Sequence, residues 1–482
     1  MIDHAANPHH ARRWAILALL GIAQLMVVLD GTVVNIALPS AQADLGFSDA
    51  DRQWIITAYT LAFGSLLLFG GRLADVMGRK TVLLVGLIGF AIASAVGGSA
   101  PSFEVLVIAR GAQGLFGALL APAALSTLTT TFTDPDERGK AFGIYGAIAG
   151  AGAAIGLILG GFLTEYLSWR WCLYVNLVLA VPAAVAAFAL LVNQRPEGKA
   201  RLDLPGTVVV SVGLLGIVYG CSKAESDGWT APITLGLLIG GLILVALFVL
   251  IETRVENPLL PMRVVLDRGR AGAYMGLGLA CIGLFGVFLF LTFYLQTILM
   301  YSPIKTGFAF LPMVAGIMVM ATTSTAVLLP KIGARIPVVL GMILAAGGMV
   351  LLTQIGVGSS YVTHVLPGLV VMGLGMGLLF ATCFEVGTSG VQAHDAGIAS
   401  AMANTTQQVG GSIGTALLST IATSVAVSYV ADGGDPLQGA VHSYSVAFWV
   451  SAGIFAGAAV ICGLLIPGGK HEREQMAAPA GI

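Results

Sequence analysis

Two charged residues stand where charge is expensive. Asp30 interrupts an apolar run at 14–38, and Arg110 interrupts another at 104–130. An ionisable side chain inside a bilayer is costly and is usually retained for a purpose. Asp30 lies about eight residues from one end of its run, and Arg110 about seven from the corresponding end of its own. At about 1.5 Å of helix rise per residue, both sit about 10–12 Å below the same face. An acid and a base at one depth are natural partners. They could form a static lock between two helices, or a proton or substrate switch. Burial would raise the pKa of a lone carboxyl and a neighbouring guanidinium would lower it, so proton uptake requires the pair to loosen during a cycle.

Other polar residues near the middle of apolar runs are Asn35, Tyr59, Gln113, Gln296 and Asn404. They are candidates for the lining of a substrate cavity, with interhelical hydrogen bonding as the plainer role. Between the second and third runs, Gly71, Asp75, Gly78, Arg79 and Lys80 form a short charged turn bracketed by glycines, which reads as a gating loop. Asp75 could cap or pair with a neighbouring helix end there. The fifth run carries Gly146, Gly150, Gly152, Gly156, Gly160 and Gly161. Glycines four apart make a smooth groove that lets another helix approach closely.

These residues need helices through lipid to position them. The chain has 482 residues, of which 57% are apolar and only 10% charged. A soluble domain carries about 25% charged residues to cover its surface. Fourteen runs are long enough to span: 14–38, 54–72, 81–99, 104–130, 141–165, 172–192, 205–222, 232–251, 271–298, 307–329, 337–356, 364–384, 400–428 and 444–466. The first is too long, and too continuous with the rest, for a cleaved signal, so it reads as an uncleaved helix. With the N-terminus inside, eighteen Lys and Arg fall on the inner side and four on the outer, which puts both termini in the cytoplasm. A net charge of -1 implies no nucleic-acid partner. The five cysteines lie in apolar runs with no disulfide or metal spacing.

A faint repeat divides the chain. Arg79-Lys80-Thr81-Val82 is echoed by Arg335-Ile336-Pro337-Val338, and Gly139-Lys140-Ala141 by Gly397-Ile398-Ala399, at offsets of 256 and 258. The expected plan is an N-terminal six-helix bundle at 1–200, two inserted helices at 201–255, a cytoplasmic connector at 256–270 and a C-terminal six-helix bundle with a short tail at 271–482.

Several segments resemble the major facilitator superfamily, and within it the fourteen-helix branch of drug:proton antiporters. Leu29 to Pro39 is similar to the branch's helix-1 signature and Gly71 to Lys80 to the loop motif. Arg110-Gly111-Ala112-Gln113-Gly114 is similar to the helix-4 motif, and Gly146 to Gly161 to the helix-5 antiporter motif. Ser168-Trp169-Arg170-Trp171 followed by Asn176 also matches. The resemblance covers nearly the whole chain. It departs at Leu157, where the antiporter motif usually has proline.

The resemblance implies an all-α integral membrane protein of the major facilitator fold, built from two six-helix bundles plus two inserted helices. It implies export of amphipathic small molecules, drugs or related metabolites, in exchange for protons by alternating access. Asp30 and Arg110 would couple the proton. No cofactor beyond the proton, no metal and no enzymatic activity are expected. The expected partners are a small amphipathic substrate and the lipid bilayer, with a monomer as the working unit in a bacterial plasma membrane. The alternatives are a same-fold transporter of a specific lipid, metabolite or uptake substrate and, more remotely, a membrane-embedded enzyme. Such an enzyme would need clustered acids or histidines at a membrane face.

Overall fold

The computed structural model describes residues 10–48, 51–132, 134–192, 204–255, 258, 260–391 and 396–468. Among the described residues the regular structure is helical. Each of the fourteen apolar runs lies mostly within one helix, as expected where lipid leaves backbone N–H and C=O groups no other partner. Eleven helices among the described residues are long and apolar enough to cross a membrane, and three shorter apolar stretches lie at Gln53–Leu67, Ala154–Tyr166 and Pro205–Cys221.

The chain forms two compact units. The first contains residues 1–216, 239–259 and 301–308, and the second contains 217–238, 260–300 and 309–482. Helices α1 (Arg13–Leu45), α2 (Gln53–Met77), α3 (Arg79–Gly98), α4 (Phe103–Thr131), α5 (Pro135–Tyr166) and α6 (Trp171–Leu190) all belong to the first unit. Within it α1 packs against α5, α6 and α4, while α4 also packs against α2 and α3. The two helices between the repeats, α7 (Leu204–Asp227) and α8 (Pro232–Glu252), are each divided between the units. In the first unit the Ser211 hydroxyl of α7 donates to the Ser65 carbonyl of α2 at 2.9 Å.

After the short α9 (Met262–Val265), the second unit contains α10 (Arg268–Phe293), most of α11 (Pro303–Thr323), α12 (Leu329–Ile332), α13 (Arg335–Leu352), α14 (Leu366–Thr388), α15 (Ala396–Ala431) and α16 (Pro436–Leu465). Three π-helical turns, Tyr294–Ile298, Ser324–Leu328 and Tyr361–Val365, extend α10, link α11 to α12 and lead into α14. Asp267 and Asp435 start α10 and α16, each accepting the backbone N–H three residues on at 3.0 Å.

Glycine contacts reproduce the repeat inside each unit. In the first, Gly21 of α1 faces Ile148 of α5, Gly152 faces Leu25 and Val28, Gly156 faces Thr32 and Gly160 faces Val33. In the second, Gly278 of α10 faces Thr406 of α15, Gly410 faces the Gly278 backbone and Gly414 the Ile282 backbone. Gly410 and Gly414 stand 258 residues after Gly152 and Gly156. The same helix pair is therefore closed by the same residue type at the same register in both halves. The surroundings of Gly146 and Gly150 lie outside the described residues. With Leu157 in place of proline, α5 runs unbroken, and Leu157 is buried.

The charged turn between the second and third runs is shorter than the sequence suggests. Gly71 and Asp75 are helical residues of α2, and Gly78 alone, at φ 91°, joins α2 to α3. A left-handed backbone at one residue lets the chain reverse between two helices, and glycine takes that conformation without penalty. The Asp75 side chain lies outside the described residues. The Lys80 ammonium donates to the Phe188 carbonyl of α6 at 2.8 Å. Glu165, near the end of α5, accepts the Ile304 backbone N–H at 3.0 Å and so caps the first turn of α11.

The α2–α4 crossing tests how far close approach stabilises the fold. A Cβ on Gly114 would meet the Tyr59 carbonyl, the Ala62 methyl at 2.9 Å and the Phe63 nitrogen at 3.0 Å. Gly114→Val is expected to cost about 1–3 kcal/mol through overpacking and to lower the melting temperature of the purified protein. Gly240→Ala in α8, where a Cβ meets nothing within 4 Å, is expected to leave it unchanged.

Candidate functional site

Asp30 and Arg110 meet inside the first unit. The Arg110 Nη1 lies 2.5 Å from Asp30 Oδ2, and the two side chains are 2% and 0% exposed. The pair is surrounded by polar groups from five helices. Arg110 Nη1 also donates to Gln113 Oε1 at 2.9 Å, and Arg110 Nε to the Ile55 carbonyl of α2 at 3.1 Å. The Tyr59 ring lies under the guanidinium, 4.3 Å from its carbon. Asp30 Oδ1 accepts from Gln113 Nε2 at 3.0 Å and from Asn176 Nδ2 of α6 at 2.7 Å. Gln113 Nε2 also donates to the Ser94 hydroxyl of α3 at 2.7 Å.

Local sequence explains the clustering. Arg110 and Gln113 are three apart on α4, which puts both on one helical face. Burying an isolated ion costs several kcal/mol, and mutual attraction offsets that cost only when the remaining lone pairs and protons are also engaged. Here Asp30 accepts three hydrogen bonds from three side chains, two on α4 and one on α6. Chemically the arrangement is a carboxylate held ready by donors, with a permanent cation beside it.

The sequence placed Asp30 and Arg110 at one depth, and they are paired. Gln113, expected in a substrate cavity, is instead part of the ion-pair network. It is fully buried, and its amide is engaged by Asp30, Ser94 and Arg110, so it presents no free polar atom to a ligand. Tyr59 is also buried, and its hydroxyl has no hydrogen-bond partner. Asn35 donates to the Gly31 carbonyl of its own helix at 2.7 Å, and its Oδ1 is unpartnered. Gln296, in the π-helical turn after α10, and Asn404, which donates to the Ser400 carbonyl at 2.9 Å, both belong to the second unit.

Sequence reasoning gave no role to Ser94, the Ile55 carbonyl or Asn176. Ser94 and a backbone carbonyl carry no signal. Asn176 did carry one, as a lone amide in the otherwise apolar α6. A second cluster was missed: Asp44 at the end of α1 accepts from Trp169 Nε1 and from Arg170 Nη2, both at 3.0 Å, and Arg170 Nη1 donates to the Ala100 carbonyl at 2.8 Å. It ties the ends of α1 and α3 to the turn before α6. Near the start of α1, Arg13 forms a two-bond pair with Glu137 of α5 at 2.7 and 2.9 Å.

The two units differ at the equivalent position. The 258-residue offset that aligns their glycine contacts carries Asp30 to Phe288 and Arg110 to Gly368. The second unit has an aromatic ring and a glycine at the positions where the first has an ion pair.

Removing one partner tests the balance. Arg110→Ala leaves a buried carboxylate without its cation and is expected to destabilise the protein by about 3–5 kcal/mol. Adding Asp30→Asn to Arg110→Ala should recover much of that loss. Denaturation in detergent of the two singles and the double measures the coupling.

Comparison with known proteins places this geometry. A family model described as the Major Facilitator Superfamily matches residues 20–415. The chain is 51% identical over 462 residues to a puromycin resistance protein of Streptomyces alboniger, covering 94% of this chain and 92% of that protein. It is 38% identical over 408 residues to a cephamycin export protein of Amycolatopsis lactamdurans, covering 84% of each. In fold it is similar to the crystal structure of the peptide-transporter-family protein PepTSo, with a TM-score of 0.71, 15% identity and coverage of 94% of this chain and 97% of that one. A match over most of the length, with relatives named for resistance and export, leads to one assignment: the chain belongs to the major facilitator superfamily and is a multi-pass membrane transporter.

Proposed function

We propose that this transporter exports amphipathic antibiotics in exchange for protons, by alternating access, as a member of the fourteen-helix drug:proton antiporter branch. The observation that carries the reading is the buried Asp30–Arg110 pair, present in the first unit at positions where the second has Phe288 and Gly368. A transporter that only bound an amphipathic molecule would gain nothing from a carboxylate 0% exposed to solvent and held by three donors. A proton-coupled one needs a group that changes charge during the cycle. Relatives named for puromycin resistance and cephamycin export support outward transport of an antibiotic. The 51% identity makes puromycin the first substrate to try.

The fourteen-span plan rests on the eleven long helices and three shorter apolar stretches, each overlapping one of the fourteen apolar runs. With an even number of spans and the positive-inside bias, both termini lie in the cytoplasm of a bacterial cell. One proton moving inward down 100 mV supplies about 2.3 kcal/mol, or about a 50-fold substrate gradient. That ratio suffices to lower the cytoplasmic concentration of a toxic compound below its inhibitory level.

The test uses inside-out vesicles carrying the full-length protein and a pH-gradient dye. Puromycin is expected to discharge a preformed gradient in wild-type vesicles and to leave it intact with Asp30→Asn. Discharge that is equal in both would remove Asp30 from the coupling path. Puromycin uptake into wild-type vesicles without any proton movement would show another driving force.

A further inference from the structure

A site that alternates between a charged and a neutral carboxyl must satisfy both forms without water. Arg110 cannot serve the new O–H of the neutral form, because a guanidinium donates and never accepts. Once Asp30 carries a proton, that O–H needs an acceptor, and Arg110, no longer facing a full negative charge, needs other company.

Arg110 already has it. The Ile55 carbonyl, Gln113 Oε1 and the face of Tyr59 stay in place whatever the charge on Asp30. The O–H is harder to satisfy. Gln113 is clamped at both ends, since Nε2 donates to Asp30 and Ser94 while Oε1 accepts from Arg110. Turning it over would break three hydrogen bonds. Asn176 differs. Its Nδ2 donates to Asp30 Oδ1 at 2.7 Å, whereas its Oδ1, on a side chain 0% exposed, has no partner. Against a carboxylate, which only accepts, the amide must present its nitrogen. Against a carboxylic acid it can present its oxygen. The rotation exchanges one unpartnered end of the amide for the other and breaks no bond other than the one it replaces.

We propose that Asn176 is a positioning residue that follows the protonation of Asp30: its side-chain nitrogen donates to the carboxylate, and a half-turn of the amide lets its oxygen accept from the protonated acid. This rests on the reading of Asp30 as the proton-binding group. The proton comes from solvent and forms an O–H bond on Asp30 Oδ1, and it leaves by the reverse step. The titratable or charged groups facing Asp30 are Arg110 on α4, Tyr59 on α2 and Cys172 on α6. From α3 the network receives only the Ser94 hydroxyl, and no titratable group of α5 is seen to reach it among the described residues. None of these offers the O–H an unengaged oxygen beside Oδ1 as Asn176 does.

The experiment is pH-difference infrared spectroscopy on the reconstituted full-length protein, run beside the vesicle assay with puromycin as probe. On acidification the wild type is expected to gain one carboxylic-acid carbonyl band that Asp30→Asn lacks, together with a change in an asparagine side-chain amide band. In Asn176→Leu the amide change should vanish. The acid band should move to the higher frequency of a carboxyl whose O–H has no acceptor, and exchange should fall about tenfold. Asn176→Gln, which keeps the amide, should retain a shifted amide change and most of the transport, and it separates this role from a folding defect. An Asp30 band identical in wild type and Asn176→Leu would overturn the proposal while leaving proton coupling at Asp30 intact. The absence of any Asp30-dependent band in the wild type, with no puromycin-driven proton movement, would overturn both.

Discussion

A carboxylate in a hydrocarbon environment must be met by donors from the protein itself. In this transporter that requirement falls on one residue, Asp30, and five helices converge to meet it. Helix α1 supplies the acid, and α4 supplies the cation and an amide three residues away. Helix α6 supplies a second amide, α2 a carbonyl and an aromatic face for the cation, and α3 a hydroxyl for the first amide. Displacing any of these helices leaves a buried polar group unpaired. The ion pair thus fixes how the helices of its unit can sit.

Close approach of the helices makes such convergence possible. Lipid provides no hydrophobic drive to bring helices together, so contact area and backbone proximity must do it. Glycines along α5 let α1 come within touching distance, and their counterparts on α15 do the same for α10. The second unit uses the same device, with Phe288 and Gly368 at the positions equivalent to Asp30 and Arg110.

The network is full on one side and open on another. Asp30 Oδ2 faces the cation, and Oδ1 faces two amides, one of them clamped and the other free at its far end. A fully satisfied polar cluster rigidifies a core, and one with a spare acceptor can accommodate a second protonation state. The orphan oxygen of Asn176 is the spare acceptor of this cluster.

Much of this protein was legible in the chain. Apolar runs and the scarcity of charge dictate membrane helices, because lipid permits no other way to satisfy a backbone of that composition. Asp30 and Arg110 stood out because each is the wrong kind of residue for its surroundings, and equal depth made them partners. The glycine spacing on α5 announced a close neighbour without naming α1. Tertiary structure decided the rest. Gln113 looked like a cavity residue because a polar side chain in an apolar run does not reveal which way its helix is turned; packing against α3 and α1 directs it to Ser94 and Asp30. The gating turn narrowed to Gly78 because helix continuity through Asp75 depends on hydrogen bonds that composition does not encode. Residue type and spacing determine which groups need partners. Only the packing of helices distant in sequence determines which partners they find, since each contact at Asp30 joins residues about 80 to 146 positions apart.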